Sequence, residues 1–511
     1  MLYIGALQGA LRPAATLSAL TTPPQPDIPL VDIRPVVAIL GTLLLGLAAA
    51  MLIPMTVDLI MGSTDWSSFA VGALVTAFTG GMLVFAFRGD IRGLELRQAF
   101  LLTAIAWVGL SAAAALPFIF SHLVTSYTDA FFEAISGLTT TGSTVIMHLD
   151  AMPPGILLWR ALLQWLGGFG IIGMAIMILP YLRVGGMQLF QTESSDRSDR
   201  VMPRPGQTMA AIITVYVGLT LLCALAYDLA GMSSFDAITH AFATLSTGGY
   251  STHDNSFVYF DSLILQWIGV VFMAAGATPF LLYVRALKGE PFALLRDSQT
   301  RSFVLVLAGT TLAITAWRMV YHEAPLHQAL TEVAFNITSV VTTTGFASTD
   351  YNIWGAFAVV SFLALTLVGG CTGSTSGAIK IFRIQIMVIT AVRLLKGLVA
   401  PRAVLPLRFN GKSFDEDVPA SVLVFVFLFV ASVGLLALAL SMLGLDPITA
   451  ISGAATAVAN VGPGLGDVIG PSGNFASLPD AAKWLLSAGM LLGRLELMTV
   501  FVLLTPYFWR Q

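Results

Sequence analysis

The chain has 511 residues, of which 56% are hydrophobic and only 10% are charged, and its formal net charge is −3. A soluble domain carries roughly 25% charged residues, so this chain has too few polar side chains to cover a water-exposed globule. The composition therefore predicts a polytopic membrane protein and excludes a soluble one, and the small net charge gives no indication of nucleic acid as a partner.

The first 34 residues differ from the rest of the chain. They contain Thr-Pro-Pro at 22–24, and Leu11-Arg12-Pro13 interrupts their short hydrophobic stretch. We predict a disordered cytoplasmic tail for this N-terminal extension, residues 1–34. A signal peptide with a weak apolar region is the alternative.

Ten apolar runs follow the extension. A helix that crosses a bilayer needs about 20 predominantly apolar residues. Two runs come first, and eight more follow in four pairs. The leading runs are 35–61 and 66–87, and the pairs are 99–120 with 155–182, 207–231 with 262–286, 302–320 with 354–397, and 417–444 with 482–509.

The positions of lysine and arginine predict the topology. Basic residues accumulate in cytoplasmic loops, and 19 of the 25 lie in alternate segments, namely 1–34, 88–98, 183–204, 285–301, 393–412 and 510–511. Both termini are therefore predicted to be cytoplasmic. The opposite side is acidic and would concentrate cations, with Asp129, Glu133, Asp150, Asp236, Asp254, Asp261, Glu332, Asp350, Asp446 and Asp467. The alternative is that acids are merely tolerated on that side.

Each pair of runs encloses a short helix and a tract of glycine and hydroxyl residues. The short helices, about 126–138, 234–245, 327–341 and 447–459, cannot cross a bilayer. Because the chain enters and leaves on the same predicted side, each forms a re-entrant loop, whose non-helical backbone must line a cavity or be buried in protein. The tracts centre on Gly142, Gly248, Gly345 and Gly462, which are 106, 97 and 117 residues apart.

The composition of the tracts predicts a cation filter. A dehydrated alkali ion needs several oxygen ligands, which backbone carbonyls and hydroxyl side chains supply. Glycine permits the backbone angles that such a site requires, and the carbonyl end of each short helix favours a cation. A single tract would be a turn between membrane helices, but four in matching contexts favour a ring. The predicted ion-binding residues are Thr140, Thr141, Gly142, Ser246, Thr247, Gly248, Thr343, Thr344, Gly345, Asn460, Val461 and Gly462.

The run 354–397 is unusually long. As one helix it would extend roughly 65 Å, about twice the bilayer core. Four glycines and four hydroxyl residues within 369–377 should break it. We predict an intramembrane loop that obstructs the pore, and a passive kink is the alternative. A phosphate-binding loop is disfavoured because no Gly-Lys-Ser/Thr follows a strand. The predicted gate residues are Gly369, Gly370, Thr372, Gly373, Ser374, Thr375, Ser376 and Gly377.

Two basic residues complete the predicted gate. Arg494 lies inside the last apolar run, where a buried charge is costly and indicates a function. Beneath a cation filter it would raise a barrier or pair with the oxygens of the loop. The alternative is a structural ion pair with an acid on a neighbouring helix. Lys380 follows the loop directly, although its side chain could also extend toward the cytoplasm.

These motifs together resemble the Trk/Ktr/HKT superfamily, and its TrkH-type bacterial potassium uptake subunits in particular. The resemblance rests on the four tracts and on three further segments, and it covers the chain from about residue 35. The further segments are Trp159-Arg160 leading to Gln164-Trp165-Leu-Gly-Gly168, residues 369–377, and Leu492-Gly-Arg-Leu-Glu496.

The resemblance implies an all-α polytopic membrane protein. It would have four pseudo-symmetric outer helix–pore loop–inner helix repeats around one pore, preceded by two N-terminal transmembrane helices. It also implies K+ as the transported ion at the tract residues, a homodimer with one pore per subunit, and a cytosolic TrkA-like nucleotide-binding regulatory ring. In this superfamily serine at the first filter glycine accompanies sodium transport, so Gly142 favours potassium. Ala378 departs from the glycine of many relatives, which puts the mobility of the loop in doubt.

The prediction for the whole chain is a channel-like K+-translocating subunit of the bacterial inner membrane, and not an enzyme. A secondary transporter of the same fold, coupled to Na+ or H+ symport, is the alternative. After the N-terminal extension, 1–34, the predicted units are a two-helix unit at 35–98 and pore repeats at 99–205, 206–300, 301–412 and 413–511.

Overall fold

The structure is a computed structural model that describes residues 32–87, 94–123, 126–177, 205–403, 405–410, 412–414 and 417–510. Within these ranges the chain is predominantly helical, as predicted, and one short hairpin pairs Arg408–Phe409 with Lys412–Ser413. Residues 1–31 of the predicted extension, residues 88–93 of the predicted basic segment 88–98, and the whole basic segment 183–204 lie outside the described residues.

Two long helices, Arg34–Met61 and Trp66–Ala86, come first and pack along each other. They approach closely at Gly41 and Gly80, because a Cβ on either glycine would lie 2.7 Å from the carbonyl oxygen of the other. Small residues allow membrane helices to pack at such short range. The first helix also packs against Leu96–Ala114 and Pro154–Met177, so the leading pair is attached to one side of the helices that follow.

Four units, called repeats 1 to 4 below, each contain an outer helix, a short helix and an inner segment. The outer helices are Leu96–Ala114 with Leu116–Phe120, then Pro205–Leu229, Ser298–Tyr321 and Asp417–Met442. The short helices are Tyr127–Leu138, Ser234–Leu245, Leu326–Val341 and Pro447–Ala459. The inner segments begin with Pro154–Met177, Leu263–Gly276, Ala356–Thr366 and Asp480–Arg494.

Three of the short helices begin at a side-chain cap. Ser126, Ser233 and Asp446 each accept a hydrogen bond from the backbone N–H three residues later. Such a cap satisfies one of the donors that the first turn of a helix leaves free. The third short helix begins after Pro325 without a cap of this kind. The caps explain why these apolar segments start as helices at the positions that the sequence predicts.

The four repeats close into a ring. The short helix of repeat 2 packs against the inner helix of repeat 1, and the same relation holds between repeats 3 and 2 and between repeats 4 and 3. The first short helix completes the circle by packing against the last inner helix, Asp480–Arg494. At this closing contact Phe131 stacks on Trp484 with ring centroids 4.8 Å apart. Four units that each bury a short helix against a neighbouring repeat therefore surround one axis.

Three inner segments are broken, whereas the sequence predicted a break in only one. Inner segment 3 has no helix between Thr366 and Ile381, and continues as Ile381–Val399. Inner segment 2 bends by 92° before Phe280–Leu287, where Pro279 lacks a backbone N–H. Inner segment 4 bends by 109° before Leu497–Leu503. The unbroken runs expected at 262–286 and 482–509 are therefore incorrect.

The described residues contain seven helices that are long and apolar enough to cross a membrane, or up to nine if each bent pair is one span. The interrupted inner segment of repeat 3 accounts for the difference from the ten predicted spans. The remaining helices are short, namely Ala293–Arg296, Gly466–Ile469 and Pro506–Arg510, with 3-10 turns at Leu149–Ala151, Ser256–Phe260 and Tyr351–Trp354.

Candidate functional site

The four tracts meet around one axis, each in contact with the next. A glycine in every tract lies so close to a backbone carbonyl of the neighbouring tract that an added Cβ would come within 3.0 Å of its oxygen. A side chain at these positions would therefore require the backbone to move. The glycine and carbonyl pairs run once around the ring in chain order: Gly142 with Gly248, Gly249 with Thr344, Gly345 with Val461, and Gly462 with Thr141.

The backbone of the four tracts is equivalent residue by residue. Each short helix is followed by a residue with left-handed φ, namely Thr140, Thr247, Thr343 and Asn460, and two residues later by a glycine with positive φ. In repeat 2 that glycine is Gly249, not Gly248 as the sequence predicted. Gly248 occupies the position of Thr141, Thr344 and Val461. The predicted register of repeat 2 is therefore corrected by one residue.

Hydroxyl and amide side chains at the base of the tracts are buried. Thr139 and Thr141 share a hydrogen bond of 2.8 Å between their hydroxyl oxygens, and Thr342 and Thr344 share one of 2.7 Å. Asn460 donates to Thr141 Oγ1 at 2.9 Å. The Thr140 hydroxyl and the Asn460 Oδ1 have no protein partner among the described residues.

A buried ion pair lies behind the tract of repeat 1. Glu133 and Arg160 are almost fully buried, and their Oε1 and Nε atoms are 2.8 Å apart. Glu133 also accepts from Val145 N at 2.9 Å, and Arg160 donates to Ser251 O at 2.8 Å. The pair thus links the chain just after tract 1 to the chain after tract 2. Glu133 does not belong to an acidic outer surface, contrary to the prediction.

Each of the other short helices also places a polar side chain against the chain that follows its tract. The groups differ between repeats: an imidazole in repeat 2, an amide in repeat 3 and a hydroxyl in repeat 4. Buried polar groups need hydrogen-bond partners, and here each bond holds the residues that follow the tract against the short helix. The pairs are His240 with Ser251 Oγ, Asn336 with Ser348, and Ser452 with Leu465.

The non-helical segment of repeat 3 lies directly beneath the tracts. Its ends are joined where Gly369 N donates to Ile379 O at 2.9 Å. Its hydroxyl and amide groups meet carbonyl oxygens at the ends of three short helices. The pairs are Thr375 Oγ1 with Leu245 O at 3.2 Å, Ser376 Oγ with Thr342 O at 2.7 Å, and Ala378 N with Ala459 O at 3.0 Å.

The remaining predicted residues of this segment bond to inner segment 2, to the outer helix of repeat 3, to the segment itself or to tract 3. The break before Phe280 leaves carbonyls without helical donors, and Cys371 N donates to Ala277 O at 2.9 Å while Phe280 N donates to Gly373 O at 3.1 Å. A Cβ on Gly370 would lie 2.8 Å from that same Ala277 oxygen. Thr372 N donates to Gln299 Oε1, Ser374 Oγ to Cys371 O, and Gly377 N to Thr343 Oγ1.

Arg494 reaches the loop from inner segment 4. Its guanidinium donates to Thr375 O at 2.8 Å, and its side chain is 3% exposed. The acid two residues later, Glu496, pairs instead with Arg383 at 2.5 Å. Among the described residues Arg494 therefore has no carboxylate partner, and the structural ion pair that was the alternative is not observed. Lys380 and Arg494 both line a small cavity of about 20 Å³ beside the loop.

A wider cavity of about 450 Å³ lies at the outer ends of the tracts of repeats 1, 2 and 4. Asp254 and Asp467 line it, together with Thr144 and Asn474. These two acids belong to the predicted acidic surface, so that part of the surface borders an opening beside the ring.

Next to this cavity, His253 bridges two acids. Its Nδ1 hydrogen-bonds to Asp150, its Nε2 lies 3.6 Å from Asp236, and its ring stacks on Tyr259. Burial alone would lower the pKa of His253, but the two carboxylates outweigh it and raise this pKa above 6.5. The hydrogen bond to His253 lowers the pKa of Asp150 below 3.8.

Several residues of this site carried no role in the sequence prediction. Arg160 and Gln164 are polar residues four positions apart, so they lie on one face of an otherwise apolar helix. This spacing could have indicated a functional polar face. Gly249 was visible beside Gly248, but only the backbone angles distinguish the two. Asn336 gave no signal beyond a polar residue in a short helix, and Glu133 was assigned to the acidic outer side and not to an ion pair.

Known proteins resemble this chain over nearly its whole length. A profile of the TrkH family, described as a cation transport protein, matches residues 67–509. The Trk system potassium uptake protein TrkI of Halomonas elongata is 50% identical over 479 residues, which cover 93% of this chain and 97% of that protein. The Trk system potassium uptake protein TrkH of Vibrio parahaemolyticus is 38% identical, over 94% of this chain and 99% of that protein.

A solved structure agrees with the fold. The crystal structure of the potassium transporter TrkH from Vibrio parahaemolyticus matches with a TM-score of 0.87 at 37% identity. The match covers 94% of this chain and 100% of that chain.

The His253 bridge predicts a pH-dependent contribution to stability. Because its folded pKa is raised, His253 stabilises the fold fully below pH 6.5 and loses this contribution as the pH rises through the folded pKa. We expect the detergent-solubilised wild type to have a higher Tm than His253→Gln below pH 6.5. The difference in Tm should shrink as the pH rises above 6.5. A difference in Tm that stays constant with pH would contradict the bridge.

Proposed function

Because the chain belongs to the TrkH family of cation transport proteins, we propose that it carries K+ into bacterial cells by channel-like permeation. The observation that carries this proposal is the closed ring of four tracts, in which each glycine packs against a carbonyl of the next tract. Such a ring can replace the hydration shell of an ion with backbone oxygens. The names of the similar proteins, which call them potassium uptake proteins, favour K+ as the cation.

The selectivity filter in this proposal comprises the predicted tract residues, with Gly249 added in repeat 2. Thr141, Gly248, Thr344 and Val461 supply equivalent carbonyls, and the glycines that follow them allow the tracts to approach. The short helices end at the base of the ring, and the negative ends of their dipoles favour a cation there. The buried groups behind the tracts, such as Glu133 with Arg160, hold the carbonyls in place.

The gate in this proposal is the loop 369–377 together with Arg494. The loop donates hydrogen bonds to the carbonyl ends of short helices, so it occupies the place where an ion leaving the filter would pass. Arg494 holds the loop at Thr375 O, and its positive charge opposes a cation at the same point. Lys380 adds a second positive charge on the inner side. Permeation then requires the loop and Arg494 to move apart.

We further propose the setting in which this subunit works. Relatives are named as parts of a Trk system, which supports a multicomponent assembly, and we propose a homodimer docked on a cytosolic TrkA-like nucleotide-binding regulatory ring. We also propose the bacterial inner membrane as its location, and the distribution of basic residues supports cytoplasmic termini. The six-part division into an extension, a two-helix unit and four pore repeats is proposed with the boundaries given above, and the activity is transport rather than enzymatic.

Reversal potentials test the central proposal. The purified protein in liposomes should pass a current whose reversal potential follows the K+ gradient. A transporter coupled to Na+ or H+ would instead give a reversal potential that moves with the gradient of the coupled ion. Growth of potassium-uptake-deficient cells that express the chain, in medium low in K+, tests uptake independently; absence of growth despite normal membrane expression would count against the proposal.

Substitution of a ring glycine should impair selectivity. In Gly345→Ser the new Cβ would meet the Val461 carbonyl oxygen and the Cδ of Pro463, so the ring must distort. We expect the preference for K+ over Na+ to fall about tenfold, which corresponds to about 1.4 kcal/mol. Gly309→Ser, in the outer helix of the same repeat, is the matched control, since its φ is not positive and a Cβ there would meet nothing within 4 Å. Equal permeability ratios in the two variants would reject the filter role of Gly345.

Removal of the guanidinium should open the gate. Arg494→Ala loses both the bond to Thr375 O and the positive charge, so basal K+ flux should rise severalfold. Flux of ⁸⁶Rb+ into liposomes measures this directly, and Arg494→Lys, which keeps the charge, should rise less. Unchanged or lower flux in a monodisperse Arg494→Ala sample would contradict the gate.

A further inference from the structure

Repeat 2 has glycine where the other three tracts have a side chain. Gly248 occupies the position of Thr141, Thr344 and Val461, yet its own φ lies outside the left-handed region. Backbone strain therefore does not explain the glycine. Space does: a Cβ on Gly248 would lie 2.6 Å from Gln164 Oε1 and 2.8 Å from Gln164 Cγ, and its three nearest neighbours all belong to that side chain. Gln164 fills the volume that a side chain at position 248 would need.

The amide of Gln164 binds the tract on both sides of Gly249. Its Nε2 donates to Gly248 O at 2.6 Å, and its Oε1 accepts from Tyr250 N at 3.0 Å. Both partners are backbone groups of fixed polarity, so only one orientation of the amide satisfies them. Gln164 is fully buried in the inner helix of repeat 1, so no water competes for these bonds.

The carbonyl that Gln164 holds belongs to the ring. Gly248 O is the oxygen that packs against Gly142 of repeat 1. Among the described residues, the equivalent carbonyls of Thr141, Thr344 and Val461 accept no hydrogen bond. The ring therefore has three carbonyls that are free to bind an ion and one that a side-chain amide fixes and partly neutralises.

We propose that Gln164 is a specificity-determining positioning residue that acts with Gly248 as a matched pair. By fixing one carbonyl of the ring, it limits the contraction of the ring around an ion smaller than K+. By drawing on the electron density of that oxygen, it also weakens the ligand field that a smaller ion would favour. The inference rests on the proposed filter role of the tracts.

The test compares Na+ and K+ permeability in the full-length protein in liposomes. Gln164→Leu and Gln164→Met both keep most of the bulk of the side chain and remove both hydrogen bonds. The ratio of Na+ to K+ permeability should rise about three- to tenfold in both, the range expected for one net hydrogen bond. The matched control is Gln266→Leu, a buried glutamine of inner segment 2 with no hydrogen bond to a tract residue; its ratio should not change.

The outcomes separate the two proposals. If Gly345→Ser changes the ratio while Gln164→Leu and Gln164→Met leave it at the wild-type value, the inference about Gln164 is wrong and the filter stands. If none of the three changes the ratio, the filter proposal itself fails.

A second pair of variants tests the steric match and covers the case in which Gln164→Leu does not fold. Gly248→Ala alone should lower the Tm, because its Cβ meets Gln164, and the loss should be smaller when Gln164→Ala is also present. The double variant should show the raised Na+ to K+ ratio. An equal loss of Tm in both backgrounds, or a wild-type ratio in the double variant, would overturn the matched pair.

Discussion

The arrangement of the four tracts depends on one short contact, repeated four times. A glycine of each tract lies against a carbonyl of the next, closer than any Cβ would permit. This contact sets the diameter of the ring, because a larger residue at any of the four positions would push two tracts apart. The short helices, their caps and the buried polar groups behind the tracts all serve to hold the backbone at that separation.

The segment beneath the ring shows how polar backbone is accommodated inside an apolar protein. Loss of helix between Thr366 and Ile381 exposes many N–H and C=O groups, which lipid cannot satisfy. The bend in inner segment 2 exposes others at Gly276 and Ala277. The structure pairs the two sets with each other and with the ends of the short helices. Two breaks that would each be costly alone therefore compensate each other.

The sequence was sufficient to predict the helices and their order, for identifiable reasons. Apolar runs of about 20 residues, basic residues in alternate loops and short helices between paired runs are all local patterns. The break in inner segment 3 was also predictable, because four glycines in nine positions cannot sustain a helix. The bend before Phe280 was not, since one proline in an apolar run is also compatible with a continuous, kinked span.

The errors within the site have a different cause. Gly248 and Gly249 are adjacent, and the glycine that the ring requires is decided by a carbonyl of another repeat, 95 residues further along at Thr344. Likewise Glu133 resembled its acidic neighbours in sequence, but Arg160 from a different helix draws it into the interior. Contacts between repeats determine these details, and no local pattern in a single sequence contains them.

The bonds between the loop and the short helices have a thermodynamic consequence. While the loop is in place, its donors satisfy Thr342 O and Ala459 O. If the loop is the gate, as proposed, its withdrawal would leave those oxygens with no partner except water or a cation. A permeant ion below the ring and the loop would thus compete for the same acceptors, and a ligand that binds only one of two states shifts the population toward it. The transported ion would itself favour the open state, so conductance would rise with ion concentration more steeply than occupancy of a rigid pore allows.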